Sequence, residues 1–293
     1  MANITCFGEV LWDVFPTHKK IGGAPLNVAA RLQGFGNAVS MVSRIGEDKR
    51  GNRILDFFKS KGVNTDGIQI DKNYKTGKVK VMLNDKGSAS YDIMFPRAWD
   101  KIELTDATRS IVEESDAFVF GSLVARDDMS RDTLYELLKL AKYKIFDINL
   151  RPPYYSSDVL NYLMNQANFI KFNDDEIFEI SGMFDSKSPS LEQTIQIIAE
   201  QTNTKTICVT KGKHGAVLFV DGKFYYNSGY HINVIDTVGA GDSFLASLIS
   251  KLLNSDNPQE SINYACAVGA IVASREGANP EIKEEEINKM INA

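Results

Sequence analysis

Short apolar, β-branched runs alternate along this chain with segments of helical period, and that rhythm limits the fold more than any other feature. Ile4–Phe7, Ala38–Val42, Ala117–Phe120, Lys144–Ile148, Phe169–Phe172 and Thr206–Val209 read as buried strands. Between them lie helical patterns. One covers Pro25–Leu32, with Pro25 near its first turn. Another runs from Ser130, the expected N-cap, to Ala141, with Leu134, Leu137, Leu138 and Ala141 on one face. Strands alternating with helices form βαβ units. The expected fold is therefore α/β, a three-layer α/β/α sandwich around a mostly parallel sheet.

One stretch breaks the rhythm. Thr76 to Phe95 alternates with period two on both sides of the turn-forming Asn84-Asp85-Lys86-Gly87. Val79, Val81 and Leu83 fall on one face, and Lys78, Lys80 and Met82 on the other. A two-stranded piece is not stable by itself, so this hairpin must pack on its own body, a substrate or a second chain. It reads as a small β lid. The expected organisation is one domain over 1–293, with a lid from 12–20 and 76–97 inserted in it.

Composition narrows the function classes without choosing one. Lys and Arg number 33 against 38 Asp and Glu, a net charge of −5, which argues against a dedicated nucleic-acid binder. A local anion site is still allowed, because backbone amides can build one. Cys6, Cys208 and Cys266 are odd in number and sit in apolar stretches, as packed, reduced thiols do. No apolar run approaches a membrane span, and no basic n-region precedes an apolar core at the start. A cytoplasmic location is expected. His18, His214 and His231 are scattered, and Asp71-Lys72-Asn73 continues with Lys75 and Met82 where a calcium loop needs oxygen ligands.

Two segments carry chemistry. In Asp236-Thr237-Val238-Gly239-Ala240-Gly241-Asp242-Ser243, small residues end where the helical run Phe244–Ile249 begins, so backbone N–H groups can converge on an anion at a helix N-terminus. Asp242, in the first turn, is ionised at neutral pH and can accept a proton. An oxyanion cradle beside a carboxylate base suits phosphoryl transfer to a hydroxyl. Alone, the segment reads equally well as a turn and a helix cap. The second segment, Gly22-Gly23-Ala24-Pro25-Leu26-Asn27, is a loop-to-helix junction whose Asn27 offers both a donor and an acceptor. Neither a G-x-G-x-x-G turn after the first strand nor a P-loop is present.

Together, these segments resemble the N-terminal and C-terminal signatures of the PfkB (ribokinase-like) carbohydrate kinases. Gly8-Glu9-Val10-Leu11-Trp12-Asp13, Phe120–Leu123, Asp147–Pro152, Asn173–Glu176, Val209–Gly212 and Arg275–Ala278 fit the same pattern, so the resemblance runs from Gly8 to Ala278. It implies an ATP- and Mg²⁺-dependent sugar kinase. Asp242 would be the general base, and Gly239, Ala240 and Gly241 the anion hole. Asp13, Gly23 and Asn27 would hold sugar hydroxyls, with Arg151 as a phosphate or substrate clamp. Asn173 and Glu176 would lie near the phosphates, Glu176 reaching Mg²⁺ through water, and Thr210 and Gly212 would flank the nucleotide. Many members also bind a monovalent cation, K⁺ being the expected one, at positions matching Asp236, Arg275 and Gly277.

Gly8-Glu9 with Asp13, and Arg97-Ala98-Trp99-Asp100, look most like fructokinases, which implies D-fructose as acceptor. Another family acceptor (2-keto-3-deoxygluconate, ribose, a nucleoside or a phosphosugar) and a catalytically silent sugar-binding sensor are the alternatives. Trp12 stands where an aliphatic residue is usual, and Lys211 where an apolar one is. The lid's open edge suits pairing with a second copy, which implies a homodimer.

Overall fold

The computed structural model describes residues 1–83, 89–184 and 190–292; the proposed turn Asn84–Gly87 lies outside them. Strand β1 (Asn3–Phe7) leads into β2 (Leu11–Val14) and β3 (Lys19–Gly22), then α1 (Ala24–Gly34), β4 (Ala38–Gly46), α2 (Lys49–Lys61) and β5 (Ile68–Asp71). β6 (Gly77–Leu83) and β7 (Ala89–Ile93) follow, then α3 (Asp106–Glu114), β8 (Ala117–Gly121), α4 (Asp128–Leu140) and β9 (Lys144–Asp147). Next come α5 (Ser157–Gln166), β10 (Phe169–Asn173), α6 (Asp174–Ser181), α7 (Leu191–Thr202) and β11 (Thr206–Thr210). β12 (Ala216–Val220), β13 (Lys223–Asn227), α8 (Ala240–Leu253), α9 (Pro258–Ala273) and α10 (Glu284–Ile291) complete the order.

Nine strands form the central sheet in the order β13-β12-β11-β10-β9-β8-β1-β4-β5. All pairs from β11 to β5 are parallel, while β12 and β13 are antiparallel. Side-chain alternation along each strand feeds two cores. Phe118, Phe120, Phe146, Ile170 and Phe172 pack with residues of α3 to α7, such as Val112, Leu134, Leu163 and Ile195. Ile4, Val119, Ile145, Phe169 and Cys208 pack on the other face with Leu26, Phe58, Phe244 and Ile262 from α1, α2, α8 and α9. The fold is the expected three-layer α/β/α sandwich. All three cysteines are free and buried, and no helix among the described residues is long and apolar enough to cross a membrane.

The helix from 128 begins earlier than its sequence pattern suggests. Asp127, not Ser130, caps it by accepting the Met129 N–H at 3.1 Å. Ser130 is buried inside the first turn, where its hydroxyl donates to the Trp99 carbonyl and accepts the Ile102 N–H. A capping residue type had a long-range use that local pattern does not reveal.

The lid is a four-stranded sheet in the order β3-β2-β6-β7. β6 and β7 form the expected antiparallel hairpin, and β6 pairs in parallel with β2. The hairpin is stabilised because Val79, Val81 and Ile93 are buried with Leu11 and Trp99. Its base is pinned by Arg126, which forms two hydrogen bonds to Asp100, donates to the Met94 carbonyl and lies 4.1 Å from the Trp99 ring centroid. Trp12 turns to the face opposite Asp13, where its indole N–H donates to the Arg50 carbonyl. Its bulk therefore fills core and not the surroundings of Asp13.

Candidate active site

The carboxyl ends of the parallel strands, where α/β sheets hold their ligands, gather most of the residues singled out from sequence. Gly239 caps α8 with φ 76°, and a Cβ there would lie 2.5 Å from Ala278 Cα, so this turn admits only glycine without rearrangement. Ala240 turns its N–H back to the Thr237 carbonyl at 3.2 Å. The N–H groups of Gly241 and Asp242 have no hydrogen bond within the described residues. These two donors at the N-terminus of a 14-residue helix form the open part of the cradle, and they fit a phosphate oxygen.

Asp242 follows directly. Its Oδ2 accepts the Asn27 Nδ2 hydrogen bond at 2.8 Å, and Asn27 Oδ1 accepts in turn from Asn279 at 2.9 Å. Burial lifts the Asp242 carboxyl to about 6; the Asn27 hydrogen bond opposes that lift, Asp147 adds to it, and the Lys171 and Arg151 charges oppose it. The group is thus ionised at neutral pH and still basic enough to take a proton.

Asn27 comes from α1, whose N-cap Gly23 has φ 115° and no room for a side chain, since a Cβ there would meet the Glu9 carbonyl oxygen at 2.5 Å. Asp13 sits on the lid strand β2, opposite Lys20 of β3. Burial lifts its carboxyl to about 6, against the Arg151 and Lys20 charges. Arg151 is exposed and donates to its neighbour's carbonyl, Leu150 O, at 2.8 Å. Its charge acts on Asp13, Glu9 and Asp242 together, so this exposed cation faces all three carboxyl groups.

A second group lies at the ends of β10 and β11. Asn173 and Glu176 form a capping box at the start of α6, each side chain accepting the other's N–H at 2.8 Å. The second Glu176 oxygen accepts the Leu150 N–H at 2.9 Å. Burial raises its carboxyl, against the Lys171 charge. With both oxygens engaged and the residue 5% exposed, Glu176 suits an ion reached through water better than direct coordination. Thr210 is in register with Asn173, and Gly212, φ 53° with open space where a Cβ would be, begins the next turn. Lys211 is half-buried and donates its N–H to the Gly215 carbonyl.

Asp236 bridges the cradle and the lid. Its oxygens accept the N–H groups of Val238 and Gly277 and the Lys20 ammonium, the last at 3.1 Å. Burial works against these contacts, which together hold its carboxyl below the usual range. Arg275 is turned to the Glu281 carbonyl and to Glu286. The side chains at these positions are thus already engaged, and a monovalent cation here would rest on main-chain carbonyls.

Residues that sequence reasoning did not nominate complete the floor. Lys171, in the middle of β10, lies 3.0 Å from Asp147 of β9, both nearly inaccessible. A charged residue in an otherwise apolar strand was the available signal. Glu9 is 3% exposed and its Oε2 has no hydrogen-bond partner. Burial pushes its carboxyl up to about 7, with Arg151 and Arg126 opposing and Asp242 reinforcing. Asn279 carried no signal that its own segment could give.

A three-layer fold with a β lid, an anion cradle and a neighbouring carboxylate defines a phosphotransferase-like architecture. The family model for pfkB family carbohydrate kinases matches residues 2–285, and the chain belongs to that family. It is 27% identical over 307 residues to a fructokinase of Solanum tuberosum, covering 96% of this chain and 93% of the relative. Among solved structures, a sugar kinase from Pyrococcus horikoshii superposes with a TM-score of 0.84 at 25% identity, over 98% of this chain and 99% of that one. The ATP-bound fructokinase from Xylella fastidiosa gives 0.87 at 24% identity, over 100% and 99%, and bears on the fold alone.

Proposed function

We propose that this sugar kinase transfers a phosphoryl group from ATP to a hydroxyl of a free sugar, D-fructose being the acceptor. The observation that carries this reading is the 2.8 Å contact between Asn27 and Asp242, which joins the acceptor-side motif to the cradle at one point. When bound, Mg·ATP supplies the phosphoryl group and neutralises its charge. Asp242 accepts the proton of the acceptor hydroxyl. Asn27 holds the Asp242 carboxylate in place while offering polar atoms to the sugar. The free N–H groups of Gly241 and Asp242 stabilise charge developing on the phosphoryl oxygens. Asp13 and Gly23 hold sugar hydroxyls, with Arg151 facing the carboxyl groups, and Thr210 and Gly212 flank the nucleotide. The lid excludes water over the cleft, which keeps the phosphoryl group from hydrolysis.

The free sugar is supported by the carboxylates of Asp13, Asp242 and Glu9 around the cleft, which accept hydroxyl donors and repel anions. The fructokinase likeness of the potato relative points the same way. One observation favours a phosphorylated acceptor instead: burial, and then the like charges of Arg50, Lys80, Arg97 and Lys19, lower the pKa of Lys78 on the lid, so cationic groups gather there. Coupled ADP release with a panel of free and phosphorylated sugars decides. Highest kcat/KM with D-fructose supports the reading, preference for a phosphosugar replaces it, and sugar-independent silence leaves only a binding protein.

Met82, Tyr91 and Phe95 stand exposed on the lid and beside it, which suits pairing with a second copy. Light scattering at assay concentration tests this, and a monomer would remove it.

A further inference from the structure

We propose that Lys171 is a further phosphoryl-binding residue, its ammonium completing from below the anion cradle that Gly241 and Asp242 form from above. The inference rests on the kinase reading and extends it to a residue that neither motif contains.

Lys171 faces the α8 side of the sheet, the same side as Phe169 and Cys208. Its neighbours along β10 are buried apolar residues, and it is itself 7% exposed. Burying an ammonium is unfavourable unless it is well paired. Asp147, in register on β9, accepts one hydrogen bond at 3.0 Å. An ammonium has three donors, and Asp147 is its one acceptor among the described residues. Two donors remain.

The position of the ammonium gives those donors a use. A Cβ placed on Gly241 would lie 3.9 Å from Lys171 Nζ, its nearest neighbour outside its own stretch of helix. The ammonium thus lies directly beneath the backbone whose N–H groups are unbonded, and the missing side chain at 241 leaves the approach open. Charge leads to the same place. Asp147, Glu176 and Asp242 all act on Lys171 and hold it charged against burial. A triphosphate entering beside three carboxylates needs a cation at the floor of the site as well as the exposed Arg151. A purely structural buried ion pair is often replaceable by apolar residues at no loss; one with spare donors under an anion cradle has a further role.

The test compares binding of the ATP analogue AMP-PNP, ADP and sugar, each with Mg²⁺ where nucleotide is used, by calorimetry. Lys171→Met is expected to weaken AMP-PNP by roughly tenfold or more and to lower kcat by about 10²-fold, since removal of one donor to transition-state charge costs that much. ADP and sugar affinities should stay within about twofold, because the cradle holds only the phosphoryl that is transferred. If Lys171→Met does not fold, the double variant Lys171→Met/Asp147→Leu removes the ammonium without stranding its partner. Lys171→Arg, which keeps the charge, should retain part of the preference for AMP-PNP over ADP. Unchanged AMP-PNP binding in a variant that still binds sugar overturns the proposal, and so does an equal loss for ADP. Failure of the wild-type protein to bind any nucleotide overturns the kinase reading itself, and this inference with it.

Discussion

Asn27 donates to Asp242 at 2.8 Å across 215 positions of sequence. The contact ties α1 to α8 and, against the burial that lifts it, favours the ionised form of the carboxylate that stands beside the cradle. The kinetics should show that ionisation. With its carboxyl lifted to about 6, Asp242 is protonated and idle in acid and becomes a base as pH rises. The acid limb of kcat/KM should therefore rise through about pH 6 to a plateau, since that ratio reports the free enzyme's groups. Asn27→Leu removes a hydrogen bond that favours the ionised form, so the limb should move to higher pH as well as falling in height. A limb that stays in place would separate Asn27 from the control of Asp242.

Glu9 yields a stability prediction of definite sign. Its carboxyl is lifted to about 7 from 4.5, so the folded state binds this proton more tightly than the unfolded one. Its contribution is most favourable below the unfolded value and is lost as pH rises through the folded value. Glu9→Gln should stabilise the protein by roughly 2 kcal/mol at about pH 8 and by little at about pH 4.5. Denaturant unfolding at the two pH values measures it; equal effects at both would show that the charge is not the cause.

Gly239 has φ 76° and Ala278 packed against the space where a side chain would go. Gly239→Val should cost roughly 1–3 kcal/mol in stability and lower kcat/KM by at least about tenfold, because the turn that aims the Gly241 and Asp242 N–H groups must shift. Urea unfolding together with steady-state kinetics checks both parts.

Lys20 links the lid to Asp236 at 3.1 Å. Lys20→Met removes the link and leaves the acceptor residues in place. It should raise KM for the sugar roughly three- to tenfold and increase sugar-independent ATP hydrolysis, because an untethered lid excludes water less well. Unaltered values for both would mean that the ion pair does not hold the lid.

The layered architecture was legible in the sequence because buried parallel strands are nearly continuous apolar runs. Phe118, Val119 and Phe120 feed both cores and show as such. The hairpin of β6 and β7 was legible from its alternation, but its stabilisation by parallel pairing with β2 was not, since that contact is set by tertiary placement. The β12–β13 hairpin was missed although its signal is local: Asp221-Gly222, both with positive φ, make the two-residue turn that joins Ala216–Val220 to Lys223–Asn227. At the site, Asp242, Asn27 and the glycines could be named from their motifs. The Asp147–Lys171 pair could not, because its meaning depends on two strands lying in register. The engagement of Ala240's N–H, which leaves the donors of Gly241 and Asp242 free, is likewise a matter of turn geometry.

The base role of Asp242 is tested most directly by the turnover of Asp242→Asn with saturating ATP and D-fructose, alongside calorimetric binding of each. The expected result is a fall in kcat of at least about 10²-fold while ATP and sugar still bind, since the amide keeps the shape but cannot accept the proton. Near-normal turnover in that variant would contradict the assignment.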